Sequence, residues 1–247
     1  MYQTERMNEI INILKKYQYV TVDYLVKEIR YSPASIRRDL TILEKQGLVK
    51  RSYGGVELKG EAFSPFIFRQ HSMKTAKNRI AAKAATLIKD NDTVFIDGSS
   101  SAQYIGHYLV KKEGITVVTN NMLLASFLGE NGIQTYCTGG YISELPGILL
   151  GDITVNSFLN FHADIMFFSA TGYNDGIIFS RDEASTRTHK IMLENADKKV
   201  FLCSGDKIEK KYKLKVCTLD SIDYFVTDAQ LSETEKEEYN NTKFLFA

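Results

Sequence analysis

The chain has 247 residues, of which 44% are hydrophobic and 25% charged, as is usual for a globular protein with one or two domains and a sizeable core. No apolar run approaches the roughly 20 residues that cross a bilayer, and the first residues lack a secretory apolar segment, so we expect a cytoplasmic protein. Three well-separated cysteines, Cys137, Cys203 and Cys217, form no metal-ligand pair and leave one over in any disulfide scheme. We therefore expect reduced thiols and no metal site.

The net charge of +1 conceals an asymmetry along the chain. Residues 1–60 contain 11 Lys and Arg against 7 Asp and Glu, whereas the other 187 residues contain 20 against 23. A small basic part on a mildly acidic body is consistent with a nucleic-acid-binding module fused to something else. The excess is modest, so charge alone does not establish DNA binding.

The first 58 residues predict a winged helix-turn-helix domain. Apolar residues repeat at helical spacing after Thr4 and again after Thr21, so each threonine is expected to cap a helix. A third helix is expected to end at Gly47, and two strand-like runs around Gly54-Gly55 predict a hairpin. The alternative is a helical bundle that only docks on the rest of the chain.

The third helix has the features of a recognition helix. Ser32 is a good N-cap, and Pro33 suits the first helical position. Ile36, Leu40 and Leu43 form one apolar stripe, which leaves small residues and arginines on the other face. Small residues let the backbone approach base edges, and guanidinium groups can bind guanine or phosphate. The residues predicted to contact DNA are Ser32, Ala34, Ser35, Arg37 and Arg38 on this helix, with Lys50, Arg51 and Tyr53 on the wing.

The two arginines of this helix have different expected roles. Arg38 is placed to meet base edges or nearby phosphates, whereas Arg37 is expected to contact the DNA backbone or to pair with an acidic neighbour. In the alternative, both lie on a solvated face and pair with Asp39 or Glu44. That alternative is preferred for an isolated pair of arginines, but not after a capped Ser-Pro helix start in a helix-turn-helix.

The amino-terminal stretch resembles DeoR-type bacterial transcriptional regulators. The residues that match the family pattern are Ser32, Ile36, Arg37, Arg38, Asp39, Leu40, Leu43, Glu44, Gly47, Arg51, Gly54 and Gly55. The chain departs from the pattern at Ser35, where threonine is usual, and at Tyr53, where histidine is usual. Both substitutes can donate a hydrogen bond, so the departures concern sequence preference rather than DNA binding.

Residues 59–74 are expected to form a linker, because they show no clean periodicity and include Pro65. From Thr93 onward, within residues 75–247, apolar runs alternate with helical stretches, which predicts a mainly parallel α/β sheet covered on both faces. The expected strands are 93–97, 115–120, 133–137, 163–170, 199–203 and 224–227, and the expected helices are 102–110, 121–129, 151–160 and 183–196. Ligands of such sheets bind beyond the carboxyl ends of the strands.

The loop Asp97-Gly-Ser-Ser-Ser101 predicts an anion site. It follows a strand and precedes a helix, so free amides, the helix dipole and hydroxyls can attract phosphate. It is neither a Walker A nor a G-x-G-x-x-G sequence, so a nucleotide cofactor is not favoured. The alternative for this loop is an ordinary serine-capped turn between a strand and a helix. Lys207 is expected to neutralise a phosphate, and the alternative for it is a solvated loop lysine. The predicted effector-binding residues are Asp97, Gly98, Ser99, Ser100, Ser101, Thr119, Asn120, Gly139, Gly140 and Lys207.

This second half is similar to the sensor domain of DeoR-type regulators. The resemblance rests on FIDGSSS, VTNN, TGG and the helix that carries Glu183 and Met192. It implies a fold similar to ribose-5-phosphate isomerase and, as effector, a phosphorylated sugar or another intermediate of sugar metabolism. One departure is Ser204, where the family typically has Asp three residues before the lysine; the adjacent Asp206 is a possible substitute.

The expected function is a DNA-binding transcriptional regulator, a repressor of a sugar-metabolism operon, with no cofactor and no catalytic residue. Symmetric operator DNA requires paired recognition helices, so a homodimer or homotetramer is expected. The alternative is a sugar-phosphate isomerase with a helical appendage. Asp97 and Glu183 are available carboxylates for it, but no paired-carboxylate arrangement stands out. A scaffold without a ligand leaves the loop chemistry unexplained.

Overall fold

The computed structural model describes residues 3–17, 19–52, 55–58, 66–69, 73–144, 147–231, 239 and 241–247. The chain divides into two compact units, Met1–Ser72 and Met73–Ala247. The finer division into 1–58, a linker and 75–247 stays a prediction. Within the ranges given above, no helix is both long enough and apolar enough to cross a membrane.

The first unit combines helices with a small antiparallel sheet. Its elements are α1 (Gln3–Tyr17), β1 (Tyr19–Thr21), α2 (Val22–Ile29), α3 (Pro33–Lys45), β2 (Val49–Ser52), β3 (Gly55–Leu58) and α4 (Phe66–Arg69). The strand order is β1-β3-β2. The apolar faces of α1, α2 and α3 meet in one core, in which Leu14, Leu25 and Ile36 are fully buried. Three helices and a β2–β3 hairpin confirm the predicted winged helix-turn-helix.

The helix starts at α2 and α3 are capped as predicted. The Thr21 hydroxyl accepts a hydrogen bond from the Tyr24 amide at 3.0 Å. The Ser32 hydroxyl accepts one from the Ser35 amide at 3.2 Å, and Pro33 occupies the first helical position. Each hydroxyl thus satisfies an amide that has no partner within its own helix.

The end of α3 is a Schellman motif. Gly47 adopts φ 73°, which a side chain would disfavour. Its amide donates to the Glu44 carbonyl, and the Leu48 amide donates to the Leu43 carbonyl. This pattern closes the helix and turns the chain directly into β2.

Two local expectations for this unit were wrong. Helix α1 begins at Gln3, so Thr4 lies within its first turn and is not the cap. Gly55 belongs to β3 and not to the turn, because it pairs with Ser52 on one side and with the unpredicted strand β1 on the other. A Cβ atom at Gly55 would lie 2.1 Å from the hydroxyl oxygen of Tyr19, so a larger residue there would require the Tyr19 ring to move.

The second unit is built on a seven-stranded sheet. Its helices are α5 (Lys74–Ala85), α6 (Gly106–Leu109), α7 (Met122–Glu130), α8 (Asp152–Leu159) and α9 (Glu183–Glu194). Its strands are β4 (Thr93–Ile96), β5 (Thr116–Thr119), β6 (Gln134–Cys137), β7 (Tyr141–Glu144), β8 (Ile148–Leu150), β9 (Ala163–Phe168), β10 (Gly172–Asn174), β11 (Ile177–Ser180), β12 (Ala196–Cys203), β13 (Leu214–Thr218), β14 (Tyr224–Thr227) and β15 (Lys243–Phe246). The main sheet has the order β15-β14-β12-β9-β4-β5-β6.

All neighbouring strands of this sheet are parallel, and both of its faces are covered. Ile80, Ile105 and Leu128, from α5, a 3-10 turn and α7, pack on one face. Phe158 of α8 and Met192 of α9 pack on the other. The predicted mainly parallel α/β architecture is confirmed.

The second unit also contains structure that the sequence did not predict. The strands β7 and β8 form a hairpin, and β10, β11 and β13 form a separate antiparallel sheet. The expected helix over 102–110 is instead a 3-10 turn over Ala102–Ile105 followed by the short α6. Gly106 lies at this junction, where a Cβ atom would be 2.5 Å from Leu124 Cδ1 of α7, so a larger residue would require the Leu124 side chain to move.

Candidate functional site

The exposed face of α3 carries the arginines predicted to contact DNA. Arg37 and Arg38 are both exposed, and Ala34 beside them is exposed as well. Within the part of the chain that the structure describes, no carboxylate lies within ion-pair distance of either arginine. The alternative in which they pair with Asp39 or Glu44 is therefore wrong, because both acidic side chains bind other groups.

Asp39 points into the first unit and fixes α3 to α1. Its carboxylate is fully buried and accepts from Arg6 Nε at 2.5 Å, from Arg6 Nη2 at 3.0 Å and from Gln3 Nε2 at 3.0 Å. The Arg6 guanidinium also lies over the Tyr31 ring, 4.6 Å from its centroid. The hydrogen bond to Asp39 raises the pKa of the Arg6 guanidinium. Sequence reasoning considered Asp39 only as a partner of the arginines next to it and missed this contact.

The wing is tied to the recognition helix through Arg51. Its amide donates to Glu44 Oε1 at 2.9 Å, and its Nη1 donates to Thr41 Oγ1 at 3.1 Å. Lys50 is exposed and lies 3.7 Å from Glu57 on the neighbouring strand. Arg51 therefore joins β2 of the wing to α3, and Lys50 lies next to it on the same strand.

A groove runs between α2, α3 and the wing. It is lined by Val22, Asp23, Arg37, Arg51, Ser52 and Gly55. Two guanidinium groups on one groove suit a phosphate backbone, since arginine binds phosphate oxygens through paired N–H donors. Tyr53, predicted for the wing, lies outside the described residues.

The strand order of the second unit reverses at β4. The chain first runs from β4 to β5 and β6 on one side, and then returns to β9, β12, β14 and β15 on the other. In parallel sheets a crevice forms at such a switch point, beyond the carboxyl ends of the two strands. The loop 97–101 follows β4 and Ser169 follows β9, so the predicted anion loop lies at this switch point.

Asp97 holds this loop in place. Its carboxylate is 2% exposed and accepts from the Ser99 amide at 3.1 Å, from the Ser169 amide at 3.2 Å and from His189 Nε2 at 2.9 Å. The donor role of Nε2 is assigned from its carboxylate partner. Asp97 thus joins the ends of β4 and β9 to α9.

The three serines of the loop have different environments. Ser99 Oγ accepts from the Ala102 amide at 3.1 Å, which caps the following turn. Ser100 Oγ accepts from Lys77 Nζ at 3.0 Å, and Lys77 is only 3% exposed. Ser101 Oγ is buried and has no hydrogen-bond partner within the described residues. A buried ammonium group beside a hydroxyl loop favours an anion.

The end of β5 lies beside the same loop. A Cβ atom at Gly98 would lie 3.1 Å from Asn120 Nδ2 and 2.7 Å from Ile148 of β8. Asn120 Nδ2 donates to the Leu149 carbonyl at 2.8 Å. Thr119 is fully buried, and its Oγ1 accepts a hydrogen bond from the Asn121 amide at 3.1 Å. Thr119, Asn120 and Gly98 are therefore brought together, with β8 lying over them.

The end of β6 is held by α8. The Gly139 carbonyl accepts from Thr154 Oγ1 at 2.7 Å. Gly140 has φ 135°, and a Cβ atom there would lie 2.5 Å from the Leu150 carbonyl oxygen. Both glycines thus allow close contact with β8 and α8, and the preceding Thr138 is 4% exposed.

Lys207 reaches the switch point from the end of β12. Its Nζ lies 2.6 Å from Ser169 Oγ, next to Asp97, so it is not merely a solvated loop lysine. Ser204, where the chain departs from the family pattern, donates to Asp206 Oδ1 at 2.6 Å. Asp206 thus contacts the position at which the family carboxylate is expected.

Four residues near the crevice were not predicted: Lys77, Asn121, Thr138 and His189. Lys77 could have been found, because it falls on the apolar stripe of α5 with Ile80 and Ala84, where a charged residue is unusual. The contact between His189 and Asp97 joins residues 92 positions apart and leaves no local signal. Among the described residues, no group of three or more His, Cys, Asp or Glu side chains could hold a metal ion.

The fold and these residues define a DNA-binding winged helix-turn-helix unit joined to an α/β unit with buried polar side chains at the switch point of its sheet. The model of the DeoR-like helix-turn-helix domain matches residues 6–61, and that of the DeoR C terminal sensor domain matches residues 72–229. The chain belongs to the DeoR family.

Curated relatives match over most of their length. The glycerol-3-phosphate regulon repressor of Escherichia coli is 29% identical, with 93% of this chain and 92% of that protein covered. The transcriptional regulator GolR of Listeria innocua is 31% identical, with 94% and 93% covered. The transcriptional repressor GlcR of Bacillus subtilis is 28% identical, with 92% and 89% covered.

Solved structures match a smaller part of the chain. A D-ribose-5-phosphate isomerase in complex with phospho-erythronic acid is 14% identical, covers 55% of this chain and 54% of its own, and has a TM-score of 0.41. The eIF2B delta subunit of Chaetomium thermophilum is 15% identical, with 67% and 60% covered and a TM-score of 0.47.

Proposed function

We propose that this protein is a transcriptional repressor of a sugar-metabolism operon whose DNA binding is controlled by a phosphorylated sugar. The observation that carries DNA binding is the outward presentation of Arg37 and Arg38 on a capped helix, while the neighbouring Asp39 is fully buried. The named relatives are repressors and regulators, and this chain matches them over most of their length. Both facts support the same function.

The effector is proposed to bind beyond the carboxyl ends of β4, β5 and β9. Lys77 donates a hydrogen bond to Ser100 in the loop after β4, and Lys207 donates one to Ser169 after β9. Positive charge is therefore available on both sides of the switch point. The buried Ser101 hydroxyl, which has no hydrogen-bond partner within the described residues, can add a donor for a phosphate oxygen. Such a regulator acts on the chromosome, so we place it in the cytoplasm.

Control requires that the effector interacts differently with the DNA-competent and the DNA-incompetent arrangements of the protein. We propose a homodimer or homotetramer, because a symmetric operator is bound by two recognition helices one helical turn apart. The isomerase alternative is not favoured: the relatives are named as regulators, and the Asp97 carboxylate is already occupied by three donors.

The test selects duplexes that the 247-residue chain binds from a random DNA pool. Affinity for the best duplex is then measured by fluorescence anisotropy with and without a panel of sugar phosphates. At least one sugar phosphate is expected to change the dissociation constant fivefold or more, the usual range of allosteric coupling. Absence of any selected duplex contradicts the regulator; a selected duplex insensitive to every sugar phosphate contradicts the effector class.

A further inference from the structure

Three buried side chains at the ends of β5 and β6 each have a polar atom without a hydrogen-bond partner within the described residues. The atoms are Asn120 Oδ1, Asn121 Nδ2 and Thr138 Oγ1, and the residues are 2%, 0% and 4% exposed. Native proteins pair the large majority of their buried polar atoms. Three such atoms at the ends of two neighbouring strands are therefore candidates for contact with a ligand.

The three residues form one cluster beside the anion loop. The Thr138 amide donates to the Thr119 carbonyl at 2.9 Å, which joins the ends of β6 and β5. Asn121 follows Asn120 directly. Gly98 lies so close to Asn120 that a Cβ atom added to it would be 3.1 Å from Asn120 Nδ2. The cluster thus continues from the loop that follows β4.

The fold itself does not use these three atoms. The other side-chain atom of each asparagine makes the structural contact: Asn121 Oδ1 caps α7 by accepting from the Leu123 and Leu124 amides, each at 3.1 Å. Asn120 Nδ2 donates to the Leu149 carbonyl of β8. Each asparagine is thus held in a fixed orientation with one polar atom left over, as in a preorganised binding site.

We propose that Asn120, Asn121 and Thr138 form a hydroxyl-recognition subsite that selects polyhydroxylated phosphates over the phosphate ion. Asn120 Oδ1 can accept from one hydroxyl, Asn121 Nδ2 can donate to another, and the Thr138 hydroxyl can do either. The strands β4 and β6 are two strand spacings apart, about 10 Å. A phosphate ion at the loop does not span this distance, whereas a sugar attached to that phosphate does. The proposal rests on the proposed effector class.

The test uses two variants of the full chain that remove an unpartnered atom and keep the fold. Thr138→Val keeps the side-chain shape and removes Oγ1. Asn121→Ser keeps an N-cap oxygen for α7 and removes Nδ2. The matched control is Thr242→Val: Thr242 is 4% exposed, and its hydroxyl lies 2.8 Å from the Leu219 carbonyl and 2.9 Å from the Ile222 carbonyl. Thr242 precedes β15, at the opposite end of the strands.

Melting temperature is measured without ligand, and dissociation constants are measured by calorimetry for inorganic phosphate, ribose 5-phosphate and glucose 6-phosphate. Thr138→Val is expected to melt no lower than wild type, because its hydroxyl has no partner to lose. Each subsite variant is expected to weaken binding of the sugar phosphates about five- to tenfold, the equivalent of one hydrogen bond. Binding of inorganic phosphate is expected to stay unchanged. Thr242→Val is expected to melt lower but to bind all three probes as wild type does.

Wild-type affinity for the sugar phosphates in both subsite variants overturns the proposal, and so does an equal loss of inorganic phosphate. Wild-type protein that binds inorganic phosphate and neither sugar phosphate also overturns the subsite alone. Wild-type protein that binds none of the three probes contradicts the effector class itself, so the two failures are distinguishable.

Discussion

Replacement of Arg6 by methionine tests how the recognition helix is held in place. In the wild type, the fully buried Asp39 carboxylate has three N–H donors, two of them from Arg6 and one from Gln3. Removing one partner of a buried ion pair costs about 3–5 kcal/mol, because a charge remains buried without compensation. Gln3 remains in Arg6→Met, and the Arg6 side chain is 11% exposed, so we expect the lower end, about 3 kcal/mol. The double variant Arg6→Met/Asp39→Leu removes both charges and is expected to lie within about 1 kcal/mol of wild type.

Hydrogen exchange with mass spectrometry on the full chain measures this locally. In Arg6→Met, the protection of peptides within α3 is expected to decrease more than a hundredfold. A loss of about 3 kcal/mol corresponds to this change, because each 1.4 kcal/mol is a factor of ten. Peptides from β4 in the second unit serve as the internal reference and are expected to be unchanged. A decrease of less than threefold in the protection of α3, or equal protection in the double and single variants, would show that the pair of Arg6 and Asp39 does not hold the helix.

Three further results are expected. Lys77→Met should weaken binding of phosphorylated ligands at least tenfold in calorimetry, since it removes the ammonium group 3.0 Å from Ser100 Oγ; unchanged affinity would exclude Lys77 from the anion site. Gly98→Ala should lower the melting temperature, because its Cβ would lie 2.7 Å from the Ile148 side chain, and Ile148→Ala in the same chain should restore part of the loss; no rescue would contradict the clash. Burial raises the pKa of the Cys217 thiol from 9.0 to about 12, so its contribution to stability is complete below pH 9 and is lost as pH rises toward 12. The difference in melting temperature between wild type and Cys217→Ser should therefore fall over that range, and a constant difference would refute the assignment.

The elements with strong periodicity and chemically distinct ends were predictable from the sequence. The capped start of α3 at Ser32 and its end at Gly47 follow from local chemistry alone. The alternation of apolar runs and helical stretches is also a local pattern, and it predicts the parallel sheet. The β7–β8 hairpin was not predictable, because its short strands owe their position to contacts with Asn120 and Asn121 rather than to a local pattern.

The candidate sites divide in the same way. Polar residues that follow apolar strands mark the serine loop and the end of β5, so the sequence predicts a ligand site there. Other residues of the proposed effector site come from distant positions: Lys77 from α5, His189 from α9 and Thr138 from the residue after β6. Pairing across such separations depends on the assembled sheet, and no run of neighbouring residues encodes it. On the first unit, the inward orientation of Asp39 likewise depends on Arg6, which is 33 residues away.

We propose that α3 presents Arg38 to DNA. Fluorescence anisotropy on the best selected duplex measures this for wild type, Arg38→Ala and a matched control, Arg187→Ala, which removes an exposed arginine of the second unit. Arg38→Ala is expected to lose about tenfold or more in affinity, as for removal of one arginine contact to a base. Its circular dichroism spectrum should stay unchanged, and Arg187→Ala should bind as wild type does. Equal affinity of Arg38→Ala and wild type for that duplex would show that Arg38 does not contact DNA.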